Sequence, residues 1–181
     1  MKILTTGIIN INKDKFKNVK NSEDGFYLNK PIIGGLWGST YLEDDYYPSS
    51  WYDFVSDSGI DKNFNYGILY SLLDSSNIFE LDSLEKHKFL KDNYCIIDSY
   101  KGRGNKKYAI DWEKLSRDYD GFHLTYDMFM KLRNFKYLMN DLDFYSWDCE
   151  SYLIFNLDCI DMNSIEYIDL EKELENRKSR L

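Results

Sequence analysis

Lys30-Pro31-Ile32-Ile33-Gly34-Gly35-Leu36-Trp37-Gly38-Ser39-Thr40-Tyr41 is the stretch whose reading decides the fold. Its apolar run, Ile32 to Tyr41, predicts a strand, yet three glycines sit inside it. They remove side chains where something else must come close, either a ligand or another backbone. Trp37 offers a flat face, and Ser39 and Thr40 place hydroxyls directly after it. On these residues alone two readings stand: a glycine-kinked strand beside a core tryptophan, or a strand that binds a ligand.

Working outward, short strand-like runs are numerous. They are Ile3–Ile11 (broken by Gly7), Tyr66–Leu73, Asn77–Leu81, Tyr94–Asp98, Gly121–Thr125 and Tyr152–Asn156. Helix-like segments are fewer. Ser49–Ser58 lies between Pro48 and Gly59, which match start and stop signals. Ser83–Asp92 opens on a capping serine and carries Lys86, Lys88 and Lys91 in its later turns. Asp111–Tyr119 is short, Tyr126–Leu142 is the best amphipathic stretch, and a mixed-charge helix over Ile165–Arg180 closes the chain. Strands and helices do not alternate, so a doubly wound parallel sheet is disfavoured. The pattern predicts an α+β fold with two packed, largely antiparallel sheets forming a cleft and helices at the periphery.

Composition restricts the function classes. The 181 residues suit one domain with a real core, and aromatics at 17%, with 16 Tyr and 11 Phe, must do much of the packing. A net charge of −8 repels phosphate backbones and anionic membranes. No apolar run approaches the ~20 residues of a membrane span. The expected compartment is the cytoplasm. Cys95, Cys149 and Cys159 show no paired spacing, and with only two histidines there is no cluster of soft ligands. No metal is expected. The basic Gly-rich loop Lys101–Lys107 reads first as a solvated connection, second as a loop steering an anionic ligand through residues such as Arg103. His123, in Gly121-Phe122-His123-Leu124-Thr125, reads first as a hydrogen-bonded strand histidine.

Two further segments can carry chemistry. In Tyr145-Ser146-Trp147-Asp148-Cys149-Glu150-Ser151, strand alternation would project Asp148 and Glu150 from one face. Two carboxylates that close would raise the proton affinity of one of them. At the start of the chain, Leu4-Thr5-Thr6-Gly7 sets two hydroxyls before a glycine, so its backbone can present N–H and C=O groups to a ligand amide.

In this order the segments resemble the ADP-ribosyltransferase superfamily, in the branch with aromatic-x-Ser-Thr and x-x-Glu motifs. Trp37-Gly38-Ser39-Thr40 is similar to the middle motif and Asp148-Cys149-Glu150 to the last, while Leu4-Thr5-Thr6-Gly7 holds the place of the first. The chain is also similar to uncharacterised bacterial and phage-borne proteins with a Lys-Pro-x-x-Gly-Gly-Leu-Trp stretch. Those proteins continue with a Ser-x-Trp helix, a Tyr-Asp-Gly segment and a Trp-Asp-x-acid-Ser segment. Ser49-Ser50-Trp51, Tyr119-Asp120-Gly121 and Trp147-Asp148-Cys149-Glu150-Ser151 are the counterparts. The resemblance implies a single domain over residues 1–160, with 161–181 a C-terminal helix packed on or extending from it. Two departures stand out. No Arg or His lies in Leu4–Gly7, and Tyr41 replaces the third residue of Ser-Thr-Ser.

The resemblance implies NAD as substrate, with ADP-ribose passed to an unidentified protein, nucleic-acid or small-molecule acceptor. Cleavage of the nicotinamide–ribose bond passes through an oxocarbenium-like state, which a fixed carboxylate stabilises. Glu150 would be that carboxylate, Ser39 would aim it, and Asp148 would orient or deprotonate the acceptor. Trp37 or Tyr70 would stack on nicotinamide, with Thr5, Thr6, Gly7 and Thr40 completing the NAD site. A toxin, defence or counter-defence role, with a cognate antitoxin or target protein as partner, is part of the same expectation. The alternatives are a non-catalytic acidic protein that sequesters a nucleotide or covers a partner's basic site, and a glycosidase-like hydrolase using the same carboxylates.

Overall fold

The computed structural model describes residues 1–21, 30–58, 64–98, 107–133, 142, 144 and 147–180. Along the chain run β1 (Ile3–Thr6), β2 (Leu36–Thr40), α1 (Ser50–Ser58), β3 (Tyr66–Leu72), β4 (Ile78–Leu81), α2 (Leu84–Tyr94), β5 (Cys95–Asp98) and β6 (Lys107–Ile110). They are followed by α3 (Trp112–Asp118), β7 (Gly121–Leu124), α4 (Tyr126–Leu132), β8 (Ser151–Ile154), β9 (Ile160–Asp169) and α5 (Leu170–Lys178). Four helices start where a side chain accepts an orphan backbone N–H: Ser83 from Lys86, Asp111 from Lys114, Thr125 from Met128 and Asp169 from Lys172.

The fold is α+β, with one large mixed sheet and one small sheet where the pattern predicts two packed, largely antiparallel sheets. Seven strands form a mixed sheet in the order β4-β7-β8-β2-β1-β3-β9, and β5 pairs with β6 in a separate two-stranded sheet. Every neighbouring pair in the large sheet is antiparallel except β4 with β7. The physical reason lies in β2, which changes partner halfway. Leu36, Trp37 and Gly38 pair with Ile154, Leu153 and Tyr152 of β8, whereas Ser39 and Thr40 pair with Leu4 and Ile3 of β1. Gly38 sits at this handover. A Cβ there would lie 2.6 Å from the Ile3 side chain and 3.0 Å from the Leu4 carbonyl oxygen. Close approach of β1 therefore accounts for that glycine. Gly35, at φ +76°, would drive a Cβ to 2.3 Å from Leu153.

Strand alternation distributes the core over both faces of the sheet. Phe122, Leu124 and Leu153 face a cluster with Leu90 of α2, Trp112 and Leu115 of α3, Met128 and Phe129 of α4, and Trp147. On the other face Ile3, Ile68, Tyr70, Tyr152, Ile154 and Ile160 pack together. The aromatic richness is used here: Phe122 and Trp147 are in ring contact with each other, and both contact Trp112 and Phe144.

Two helix expectations are corrected. The closing helix begins at Leu170, not Ile165, because Ile160–Asp169 pairs with β3 as the edge strand of the sheet. Helix α4 ends at Leu132; the rest of the expected Tyr126–Leu142 helix falls largely on residues 134–141, outside the described residues. The Gly-rich loop is also outside them through Lys106, and Lys107 opens β6.

Candidate functional site

The site lies at the end of the sheet where β2 and β7 finish and β8 begins. Glu150, two positions before Tyr152, is 4% exposed. Its carboxylate is held from three directions. Thr40 donates its backbone N–H, at 3.1 Å to Oε2, and its hydroxyl, at 2.9 Å to Oε1. Ser50, at the first position of α1, donates its hydroxyl to Oε2 at 3.1 Å. His123 of β7 places Nε2 2.9 Å from Oε1. A buried carboxylate with this many donors keeps one rotamer and a fixed field.

His123 is itself built in. Its ring stacks on Tyr152 with centroids 3.8 Å apart, and its Nδ1 lies 3.2 Å from Glu80 Oε1. Glu80 and His123 are register partners of the parallel β4–β7 pair, which sets both on one face. The half-exposed Glu80 therefore connects the buried Glu150 to solvent through one imidazole.

Glu150, Thr40, Ser49, Ser50 and His123 line a cavity of about 640 Å³, with Asp45, Tyr46, Tyr47, Asp53 and Tyr126 around them. Among the described residues that line it, none is Lys or Arg. Burial lifts Asp53 above the ordinary carboxylate range, and the neighbouring Asp57 adds to the effect.

A second cavity, of about 370 Å³, borders the same segments of β2, α1 and residues 148–151. Its walls are aromatic, from Trp37, Trp51 and Phe64, with Thr5, Thr6, Lys30 and Asp148 as polar members. Trp51 donates its indole N–H to Thr6 at 3.1 Å, and Thr5 donates its hydroxyl to the Trp37 carbonyl at 2.6 Å. Lys30 and Asp148 pair at 3.4 Å, with the ammonium 5.9 Å from the Trp37 ring. Gly38 and Thr40, two apart in β2 and so on one side of it, line one cavity each. A third cavity, about 500 Å³, lies at the opposite end of β7 and β8 and holds no candidate residue.

The expected site residues are thus divided. Thr40 and Glu150 meet in one cavity; Thr5, Thr6, Trp37 and Asp148 gather in the other. Asp148 and Glu150 do not share a face, because residues 147–150 precede β8 and strand alternation does not yet govern them. Ser39 does not reach Glu150. Alternation sets it opposite Leu4, on the far side of β2 from Thr40, and its fully buried hydroxyl finds no hydrogen-bond partner among the described residues. Thr40 takes the place expected of Ser39. Tyr70 is wholly buried in the core, where its hydroxyl lies 3.4 Å from the Thr5 hydroxyl, so it cannot stack on a ligand. Gly7, at φ +77°, donates its N–H to the Tyr66 carbonyl and lies against Phe64, the wall of the aromatic cavity.

Sequence reasoning missed Ser50, His123 and Glu80 as parts of one site. The available signals were a polar His in a strand whose neighbours are apolar, and the Ser-Ser-Trp opening of α1. Cys149, between the two acids, is buried, and burial pushes its thiol up to about 11. Among the described residues no group of three or more His, Cys, Asp or Glu is placed to hold a metal ion. No described helix is long and apolar enough to cross a membrane. No protein-family model, curated protein or solved structure matches the chain.

Proposed function

We propose that the chain cleaves the nicotinamide–ribose bond of NAD and transfers the ADP-ribose to an acceptor, within an ADP-ribosyltransferase-like fold. One observation carries this reading: Thr40 of the Trp-x-Ser-Thr segment binds Glu150 of the Asp-x-Glu segment through both backbone and hydroxyl, across 110 positions. The result is an oriented carboxylate on the wall of a cavity large enough for a nucleoside. As the C1′–N bond breaks, its electron pair leaves on the nicotinamide nitrogen and positive charge develops on the ribose. A carboxylate already fixed by Thr40, Ser50 and His123 needs no reorganisation to stabilise that charge. The aromatic walls of Trp37, Trp51 and Phe64 suit the flat nicotinamide ring. Asp148, held by Lys30, acts from that second cavity. Since no Lys or Arg lines the larger cavity among its described residues, the pyrophosphate lies outside it.

A second reading is binding without turnover. It is favoured by the saturation of Glu150, whose two oxygens already receive donors from Thr40, Ser50 and His123. Following nicotinamide release from NAD by chromatography tests the first reading, with Glu150→Gln as control and melting temperature as a check on folding. Release by wild type that falls at least a hundredfold in the variant supports transfer. Equal absence of release from both, with NAD bound by calorimetry, supports sequestration.

A further inference from the structure

The cluster formed by Glu80, His123 and Glu150 has a chemistry beyond holding one side chain still. Glu150 is 4% exposed, and an ionised carboxylate so deeply buried is costly unless opposite charge compensates it. Thr40 and Ser50 supply neutral donors. The ring of His123 is the group touching the carboxylate that can carry positive charge. Carboxylate oxygens accept and do not donate, so two hydrogen-bonded contacts, 3.2 Å to Glu80 and 2.9 Å to Glu150, need two protons on this line. The arrangement in which both carboxylates stay ionised puts both protons on the imidazole.

We propose that Glu80 and His123 are positioning residues that keep Glu150 ionised in its buried place, and that the site loses this support when His123 gives up its second proton. This rests on the reading of Glu150 as the charge-stabilising group. Glu80 acts through His123 and does not line the cavity. The groups facing His123 are Glu80 from β4, Glu150 from the segment before β8, and Tyr152 of β8 stacked on its ring. Asp53 and Tyr126 line the same cavity from α1 and α4, and Asp45 from the segment between β2 and α1. Tyr152 itself is pushed by burial above the ordinary phenol range and stays neutral there. The site is therefore supported on the acid side of the His123 transition and weakened on the alkaline side.

The test is a pH titration of the ring nitrogens in protein labelled with ¹⁵N-histidine. The chain has two histidines, so a His87→Asn variant assigns the spectrum. Replacing half-exposed Glu80 on the edge strand leaves the core intact, so Glu80→Ala is expected to fold. Losing an opposite charge within hydrogen-bond reach lowers the His123 midpoint by ~1 pH unit, and Glu80→Asp restores most of it. The alkaline limb of nicotinamide release moves down with it in Glu80→Ala, which a merely structural role would not produce. A His123 midpoint unchanged within ~0.2 unit in Glu80→Ala overturns the proposal. If no variant releases nicotinamide, the transferase reading falls, while the titration still decides this one.

Discussion

Replacing Arg177 with Ala tests how the carboxyl-terminal helix supports the cavity. Arg177 is charged yet 4% exposed, and it reaches from α5 to the segment that rims the Glu150 site. Its guanidinium donates to Glu173 at 2.9 Å, to the Leu42 carbonyl at 2.7 Å, to the Asp45 carbonyl, and to the Tyr41 hydroxyl at 3.0 Å. It also sits 5.3 Å from the Tyr41 ring centroid. Each hydrogen bond contributes about 1 kcal/mol net, and more when one partner is charged. Water can reach the exposed Asp45 end, which offsets part of the loss. The expected destabilisation is about 3 kcal/mol, corresponding to a melting temperature lower by roughly 6–12 °C for a chain of this size. Differential scanning calorimetry reads this directly. Arg177→Lys keeps the charge but not the fork, and should recover less than half of the loss. Because Leu42, Asp45, Tyr46 and Tyr47 line the larger cavity, the variant should also weaken ligand binding there. A melting temperature within ~2 °C of wild type would refute the reasoning.

Neighbouring hydroxyls should behave oppositely. Thr40→Val removes the 2.9 Å bond to Glu150 and should slow nicotinamide release about tenfold, a cost of about 1.4 kcal/mol, whereas Ser39→Ala removes a buried hydroxyl without a partner and should leave stability equal or raise it by up to ~1 kcal/mol in urea unfolding. Burial pushes the Cys149 and Cys159 thiols from 9.0 up to about 11, so at pH 8 only about a thousandth of each is thiolate and an aromatic disulfide reagent should label them only on unfolding. Above pH 9 the unfolded chain holds fewer protons than the folded one at these thiols, so urea stability should fall as pH climbs from 9 towards 11. Burial lowers His87 below its ordinary value of 6.5, so under acid conditions the unfolded chain binds the extra proton and stability should fall as pH drops below 6.5; His87→Gln should flatten that slope. Gly35→Ala should cost several degrees of melting temperature, because its Cβ would meet Leu153 at 2.3 Å.

Local signals were enough for the elements whose reasons are local. The caps at Ser83 and Asp111 and the strands around Leu36, Ile68 and Leu153 follow from side-chain chemistry and period. Residues 160–169 did not, because an edge strand with one solvated face carries Asp161, Glu166 and Asp169 and reads as a mixed-charge helix until β3 is there to pair with it. The joining of seven strands into one sheet was hidden for a related reason: no sequence signal reports that β2 changes partner after Gly38. In the site, motif spacing identified the segments that meet, but not which hydroxyl does so. The period of two decides between Ser39 and Thr40, and it can be applied only once the register against Leu4 and Ile3 is known. His123 and Glu80 are joined by the parallel pairing of β4 and β7, forty-three positions apart, which nothing local announces.

The most direct test is a crystal structure of the protein with the non-hydrolysable carba analogue of NAD. The nicotinamide-side ring that replaces ribose should lie within hydrogen-bond reach of Glu150, with nicotinamide against Trp37 and Trp51. An analogue bound elsewhere, or no density at saturating concentration, would contradict the account.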